Sequence, residues 1–164
     1  MNIKLADPVE IEILEAFISP AYGRTIRDEL DDQSFGLQSL AIAWDRETPV
    51  GYGFIHWPGP RELSVADKIP GCPEIFRMTV SPAHQSTGIG TQIIGFFEQL
   101  AKSKGFSSLG LAVSHDNERA YQLYDKLNFG ATEVANFVSS YQQEKPDGNV
   151  VTITEKCRFL QKLL

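Results

Sequence analysis

The chain is poor in cysteine, in basic charge and in long apolar runs, and each shortage removes a class of function. Only two cysteines occur, Cys72 and Cys157, far apart and without metal-ligand spacing. Reduced thiols are therefore expected, rather than a disulfide framework or a metal module. Lys and Arg number 15 against 21 Asp and Glu, a formal net charge of −6. A nucleic-acid partner held by phosphate neutralisation calls for a basic face, so none is expected; a cationic small partner suits this balance better, and plain solubility charge suits it equally. No stretch has enough consecutive apolar residues to span a bilayer, and no basic start precedes an apolar run. A soluble cytoplasmic protein without a membrane partner is the expectation. Internal repeats and low-complexity tracts are lacking too. What is present, 164 residues of which 42% are hydrophobic, suits one domain over 1–164 with a substantial core.

The most informative stretch runs from Val80 to Thr91. Upstream, Ile75, Phe76, Met78 and Val80 read as a mostly buried strand, and Pro82, which lacks an N–H, forces a turn. Downstream, Ile89, Ile93, Phe97 and Leu100 fall on one helical stripe that ends at Lys102, Lys104 and Gly105. The order is strand, glycine-containing loop, helix. A helix N-terminus offers unpaired N–H groups and the positive end of the macrodipole, so an anion fits there. Gly88 and Gly90 let a phosphate oxygen approach the backbone, and Gln85, Ser86, Thr87 and Thr91 add neutral polar groups. A nucleotide triphosphatase loop would need Gly-Lys-Ser/Thr, and a dinucleotide fingerprint a third glycine; neither is here. The plain alternative is a tight turn that needs small residues.

Next, Leu109, Leu111 and Val113 alternate with Gly110, Ala112 and Ser114, as in a strand with one greasy face and one small-residue face. Asp116-Asn117-Glu118 then opens a helix with Ala120, Leu123, Tyr124 and Leu127 at spacings of three and four. Asn117 and Tyr124, seven apart, share a face. Two motifs now stand in order: Gln85-x-x-Gly88-x-Gly90, and Asn117-x-x-Ala120-x-x-x-Tyr124-x-Lys126-x-Asn128-Phe129. Together they resemble the two signatures of the GNAT N-acetyltransferase superfamily over about residues 74 to 130. One departure is Asn128, where the family usually has glycine; Asn is the non-glycine residue most tolerant of a left-handed helix end.

The resemblance implies an α/β (α+β) three-layer fold, a mixed, mostly antiparallel sheet with splayed central strands flanked by helices. It also implies acetyl-CoA as the acyl donor, without a metal. Gln85, Ser86, Thr87, Gly88, Ile89, Gly90 and Thr91 would hold the pyrophosphate, and the backbone of Met78, Thr79 and Val80 the pantetheine arm. Asn117 and Tyr124 would face the cofactor, with Tyr124 giving a proton to the departing sulfur; a core aromatic is the plainer role for it. Glu74 lies eleven residues before Gln85, the offset at which GNAT histone acetyltransferases carry a glutamate base acting through water. Otherwise it is a surface charge at a strand start. A base matters because only about one amine in 2,500 is neutral at pH 7 for a pKa of ~10.4. Glu62, His56 and His115 are weaker candidates. The expected activity is acetyl transfer to a primary amine of a small molecule or peptide. A non-catalytic acyl-CoA sensor would keep the loop but need neither Tyr124 nor a base. Whether the protein is a monomer or a homodimer stays open.

The flanks supply element order. Asn2 to Leu5 suits a strand, and Asp7-Pro8 caps a helix carrying Ile11, Leu14, Phe17 and Ile18. Ser19-Pro20 breaks it, and a second helix is expected over Tyr22 to Leu30, fraying into Asp31-Asp32-Gln33. In the family this region forms part of the acceptor wall; Asp28, Glu29, Asp31 and Asp32 read as a solvated face, or as an attractant for a cation. Leu40, Ile42 and Trp44, then Val50 to Trp57, make a hairpin, with Gly51 and Gly53 marking a bulge or a close approach. Four prolines and two glycines in 58–73 predict an irregular loop. Val134 to Gln143 and Val150 to Phe159, joined through Asp147-Gly148, predict a second hairpin.

Overall fold

The computed structural model describes residues 1–164. Its strands are β1 (Asn2–Leu5), β2 (Gln38–Asp45), β3 (Thr48–His56), β4 (Glu74–Val80), β5 (Ser108–Ser114), β6 (Gly130–Ala131), β7 (Phe137–Glu144) and β8 (Val150–Leu163). Its helices are α1 (Ile11–Phe17), α2 (Ile26–Ser34), α3 (Leu63–Ala66), α4 (Ile89–Ser103) and α5 (Glu118–Lys126). One sheet runs β1-β2-β3-β4-β5-β8-β6, with β7 paired to β8 beside it. Every pairing is antiparallel except β4 with β5. No helix is long and apolar enough to cross a membrane.

Three layers follow from the alternation of the strands. Ala41, Ala43, Ile55, Ile75, Leu109, Leu111 and Val113 form one core with Ile89, Ile93, Phe97 and Ala101 of α4, and α5 packs at its border through Ala120, Tyr124 and Leu127. On the opposite face Leu14, Ile18, Ile26 and Leu30 of α1 and α2 cover Leu40, Ile42, Trp44 and Phe54. Burying Ile89, Ile93, Ile94 and Phe97 contributes about 1.5–3 kcal/mol each, which outweighs the ~1 kcal/mol that each of Gly90 and Gly95 costs inside a helix. The two glycines of β3 are explained by the same helix: a Cβ at Gly51 would lie 3.1 Å from Ile89 Cγ2, and one at Gly53 3.1 Å from Ile93 Cγ2. α4 rests directly on that bare backbone.

Several boundaries differ from the sequence expectation. α2 starts four residues later, because Tyr22 and Gly23 are left-handed in a tight turn and Thr25 with Asp28 forms a reciprocal cap. It continues through Asp31-Asp32-Gln33 instead of fraying there. Residues 58–73 are not wholly irregular; Leu63–Ala66 make one helical turn that buries Val65. β6, at two residues, is too short to show a period. β8 runs on to Leu163 because its second half pairs with β5. Asn128 is left-handed, at φ 66°, as its place after α5 requires.

Gly110, in the small-residue face of β5, has no room for a side chain. A Cβ there would stand 2.3 and 2.4 Å from the Phe159 ring and 3.1 Å from Cys72 Sγ. Gly110→Ala is expected to destabilise the protein by about 1–3 kcal/mol through overpacking. Urea denaturation measures it, and an unchanged midpoint would mean that Phe159 turns aside at no cost.

Candidate active site

The loop between β4 and α4 is built to present backbone N–H groups. After a single turn at Pro82–His84, Gln85 is extended, while Ser86 at φ 64° and Gly88 at φ 88° are both left-handed. Gln85 Nε2 donates to the Val80 carbonyl at 3.2 Å and Thr87 Oγ1 to the His84 carbonyl at 2.6 Å, fixing the turn from within. Gly88 caps α4 without a side chain, so no protein group claims the first N–H groups of that helix. Such a helix start has the donors and the dipole sign that an anion requires. From α5, Arg119 Nη2 reaches over and donates to Ser86 Oγ at 2.6 Å. A cavity of about 610 Å³ lies between these elements, bordered by Gln85, Ser86, Gly88, Arg119, Tyr124 and Lys126 among others.

A second opening is made by the sheet itself. β4 pairs with β5 only at Glu74 with Gly110 and Ile75 with Leu111, although both strands run further. The cause is a bulge: Tyr52 opposes Thr79 but Phe54 opposes Phe76, so β4 carries one residue more than β3 there. Arg77 has the left-handed backbone, at φ 48°. The bulge reverses side-chain parity, so Arg77 shares the face of Phe76 and packs over the Phe54 ring at 4.8 Å, while Met78 turns to the α4 face. Its guanidinium donates from Nη1 to Glu29 Oε1 at 3.2 Å and from Nη2 to the Ser19 carbonyl at 3.0 Å. Beyond the bulge, the β5-facing edge of β4 has no strand partner. A cavity of about 500 Å³ opens in the gap, lined by Phe76, Arg77, Met78, Ala112, Tyr124, Tyr141 and Glu155 among others.

Tyr124 and Asn117 border both cavities. Burial alone raises the Tyr124 phenol above its usual range, so it stays protonated at neutral pH and is available as a proton donor. Asn117 Oδ1 accepts from the Ala120 N–H at 3.1 Å and is therefore also the cap of α5. Met78, Val80, Gln85, Ser86, Gly88, Ile89, Gly90 and Thr91 all border the loop cavity. Thr87 does not, being turned to its own loop, and Thr79 borders a different cavity of about 790 Å³ on the α2 face. Glu74 is not on the Tyr124 cavity either. It lies in a neighbouring one of about 310 Å³ with Tyr22, His56, Arg61 and Ser139, where Ala112 is the shared wall, and it accepts from the Arg61 backbone N–H at 2.6 Å. His115 binds the Ala135 carbonyl outside these cavities.

The acidic stretch in α2 divides. Asp28 caps the helix, Asp32 pairs with Arg24, and Glu29 is 4% exposed, so it belongs neither to a solvated face nor to an attractant for a ligand. Sequence reasoning missed Arg77, whose parity depends on the bulge, and Arg119, whose only signal was a cation in the first turn of α5. It also missed Tyr141 and Glu155, on the inner face of the second hairpin.

Comparison with known proteins gives a consistent result. The family described as acetyltransferase (GNAT) matches residues 9–129. No curated protein sequence matches the chain. Among solved structures, a ribosomal-protein-alanine N-acetyltransferase from Brucella melitensis superimposes with a TM-score of 0.70 at 16% identity, covering 100% of both chains. An aminoglycoside 6′-N-acetyltransferase complexed with coenzyme A gives 0.62 at 15%, over 99% of this chain and 97% of that one. A GNAT acetyltransferase from Elizabethkingia anophelis with acetyl-CoA bound gives 0.60 at 18%, again over 99% and 97%.

Burial pushes the Glu74 carboxyl above its usual value of 4.5, against the Arg61 N–H and guanidinium that favour its ionised form. A raised carboxyl contributes stability that is fully present below the unfolded value and is lost as pH rises through the folded one. Glu74→Gln removes that loss. Relative to the parent, the variant is expected to gain about 1.4 kcal/mol per pH unit across the window from 4.5 up to the raised value, then stay level. Denaturation at pH 4 and pH 7 checks it; a difference that does not change with pH contradicts the burial assignment.

Proposed function

The chain belongs to the acetyltransferase (GNAT) family, and from that premise we propose that it transfers an acetyl group from acetyl-CoA directly to a primary amine of a small molecule or peptide. The observation that carries the proposal is the position of Tyr124 at the junction of two cavities, one under the glycine loop and one in the gap between β4 and β5. A mere acyl-CoA binder would need the loop and the β4 edge but no proton donor between them. The N–H groups at the start of α4, with Ser86 and Arg119, suit a pyrophosphate. The unpaired edge of β4 suits the pantetheine amide, and one of its N–H groups suits the carbonyl oxygen that gains charge as the amine attacks. Tyr124 then protonates the departing sulfur. Cys72 and Cys157, both free and buried, suit a reducing, cytoplasmic setting.

Donor placement is tested by Gly88→Asp. The left-handed backbone tolerates Asp better than most residues, and nothing lies within 4 Å of a Cβ built there, so the fold should persist. The added negative charge should weaken acetyl-CoA binding strongly, whereas saturating the parent at one hundred times its dissociation constant should stabilise it by about 2.7 kcal/mol. Calorimetry showing equal affinity in a folded variant would rule out this loop as the pyrophosphate site.

The role of Tyr124 is tested by Tyr124→Phe. Its ring packs edge-on against Phe129 at 6.1 Å, a contact the phenylalanine keeps, so stability should hardly change. Turnover should fall about 10²-fold, the range for one general acid. Full activity, with chemistry shown to be rate-limiting, would make Tyr124 a packing residue.

A further inference from the structure

The carboxylate that shares the cavity with Tyr124, and is half-buried there, belongs to β8. Glu155 lies on the inner face of the β7–β8 hairpin, opposite Ser139 and just past Cys157, the last β8 residue to pair with β5. No lysine or arginine forms an ion pair with it. Arg77, the cation on the same cavity, is already matched by Glu29. The one side chain that binds Glu155 is Tyr141, whose hydroxyl donates to Oε1 at 3.5 Å. The other carboxylate of the cavity, Asp116, is exposed in the turn before α5. Behind Glu155, the thiol of Cys157 is pushed up to about 11 by burial and then by the charges of Glu155, Glu62 and Glu74. Three carboxylates therefore gather at this end of the gap, and the cation among them, Arg61, stands by Glu74 in the adjoining cavity and makes no ion pair with Glu155.

We infer that Glu155 receives the ammonium of the acceptor and takes its proton, held by Tyr141, so that the acceptor is a cationic primary amine entering beneath the β7–β8 hairpin. This rests on the acetyl-transfer reading above. The acceptor arrives as R–NH₃⁺ and gives one proton to the Glu155 carboxylate. The freed lone pair forms the C–N bond at the acetyl carbonyl, and the tetrahedral intermediate collapses by breaking the C–S bond. Tyr124 protonates the sulfur, and the second proton leaving nitrogen restores the phenol. The products are the acetamide, the CoA thiol and one proton, which Glu155 passes to solvent.

The test uses the full chain, acetyl-CoA, and a panel of alkylamines, lysine peptides, peptides with a free amino terminus and aminoglycosides, each paired with the matching alcohol as a binding probe. Glu155→Gln is nearly isosteric, so acetyl-CoA affinity and thermal midpoint should match the parent. Against the best acceptor, kcat/KM should fall by about 10²-fold or more at pH 7, with the deficit shrinking as pH approaches the amine pKa of ~10.4. The CoA-loaded variant should lose affinity for the amine but not for the alcohol. A deficit independent of pH, or unchanged amine affinity, overturns the assignment, and so does a pH-dependent deficit found in Glu74→Gln alone. A parent that binds acetyl-CoA yet acetylates no amine overturns the cationic acceptor. A parent that does not bind acetyl-CoA overturns the acetyl-transfer reading itself.

Discussion

The ion pair between Arg77 and Glu29 is the constraint from which the rest of the site follows. A left-handed arginine in mid-strand is strained by about 1–2 kcal/mol and persists only if its surroundings over-determine it. Here they do: a carboxylate, a backbone carbonyl and an aromatic ring all converge on one guanidinium. The carboxylate is costly in its own right, because Glu29 is almost wholly buried and an unpaired charge there would not be tolerated. Gln38 at 2.5 Å and Arg24 at 3.6 Å complete its shell. These contacts offset both the strain at the bulge and the desolvation of Glu29. The result is a sheet that parts on one side of β4 while staying paired on the other.

That parting separates two regions of opposite electrostatic character. On one side lie the N-terminus of α4, Arg119 and Lys126, around a cavity suited to an anion. On the other lie Glu155, with Glu62 and Glu74 behind it; Arg61 stands by Glu74, and no cation pairs with Glu155. A net charge of −6 conceals this division. Tyr124 stands at the boundary, buried enough to keep its proton and open to both sides. An anionic donor and a cationic acceptor would each be drawn to its own half, and the gap in β4 is where they would meet.

What could be read in the sequence was local. Gly88 and Asn128 stand at left-handed positions because each ends or begins a helix, and three or four neighbouring residues suffice to say so. The loop, both motif helices and the second hairpin were legible for the same reason. Arg77 was not, since its bulge is held from 48 residues away and strand parity alone assigns it to the wrong face. The start of α2 was displaced because the chain makes a second tight turn at Tyr22-Gly23, beyond the Ser19-Pro20 break, that only the backbone reveals. Glu74 was singled out by its offset; it is buried rather than a surface charge, and its side chain precedes the bulge and falls into the adjoining cavity. Ser86 shows the reverse failure: a left-handed non-glycine residue, fixed by its neighbours' hydrogen bonds, carries no mark in its residue type.

The second hairpin illustrates how placement can come from pairing that sequence patterns do not encode. β8 is a single strand with three partners: residues from Cys157 onward pair with β5 inside the sheet, Leu160 and Gln161 also meet β6 on the other edge, and those up to Cys157 pair with β7. The change of partner occurs where β5 ends at Ser114. Glu155, two residues before that switch, is anchored by the sheet yet projects past it over the gap. Alternation then decides the rest, because Ser139, Tyr141 and Ile153 share its face and are half-buried, whereas Val138, Ser140 and Thr154 face solvent. A shift of one residue in this register would turn Glu155 and Tyr141 outward and present Lys156 and Thr154 to the cavity. The charge at the acceptor end is thus fixed by strand register, which the Cys157 pairing with both Ser114 and Phe137 secures.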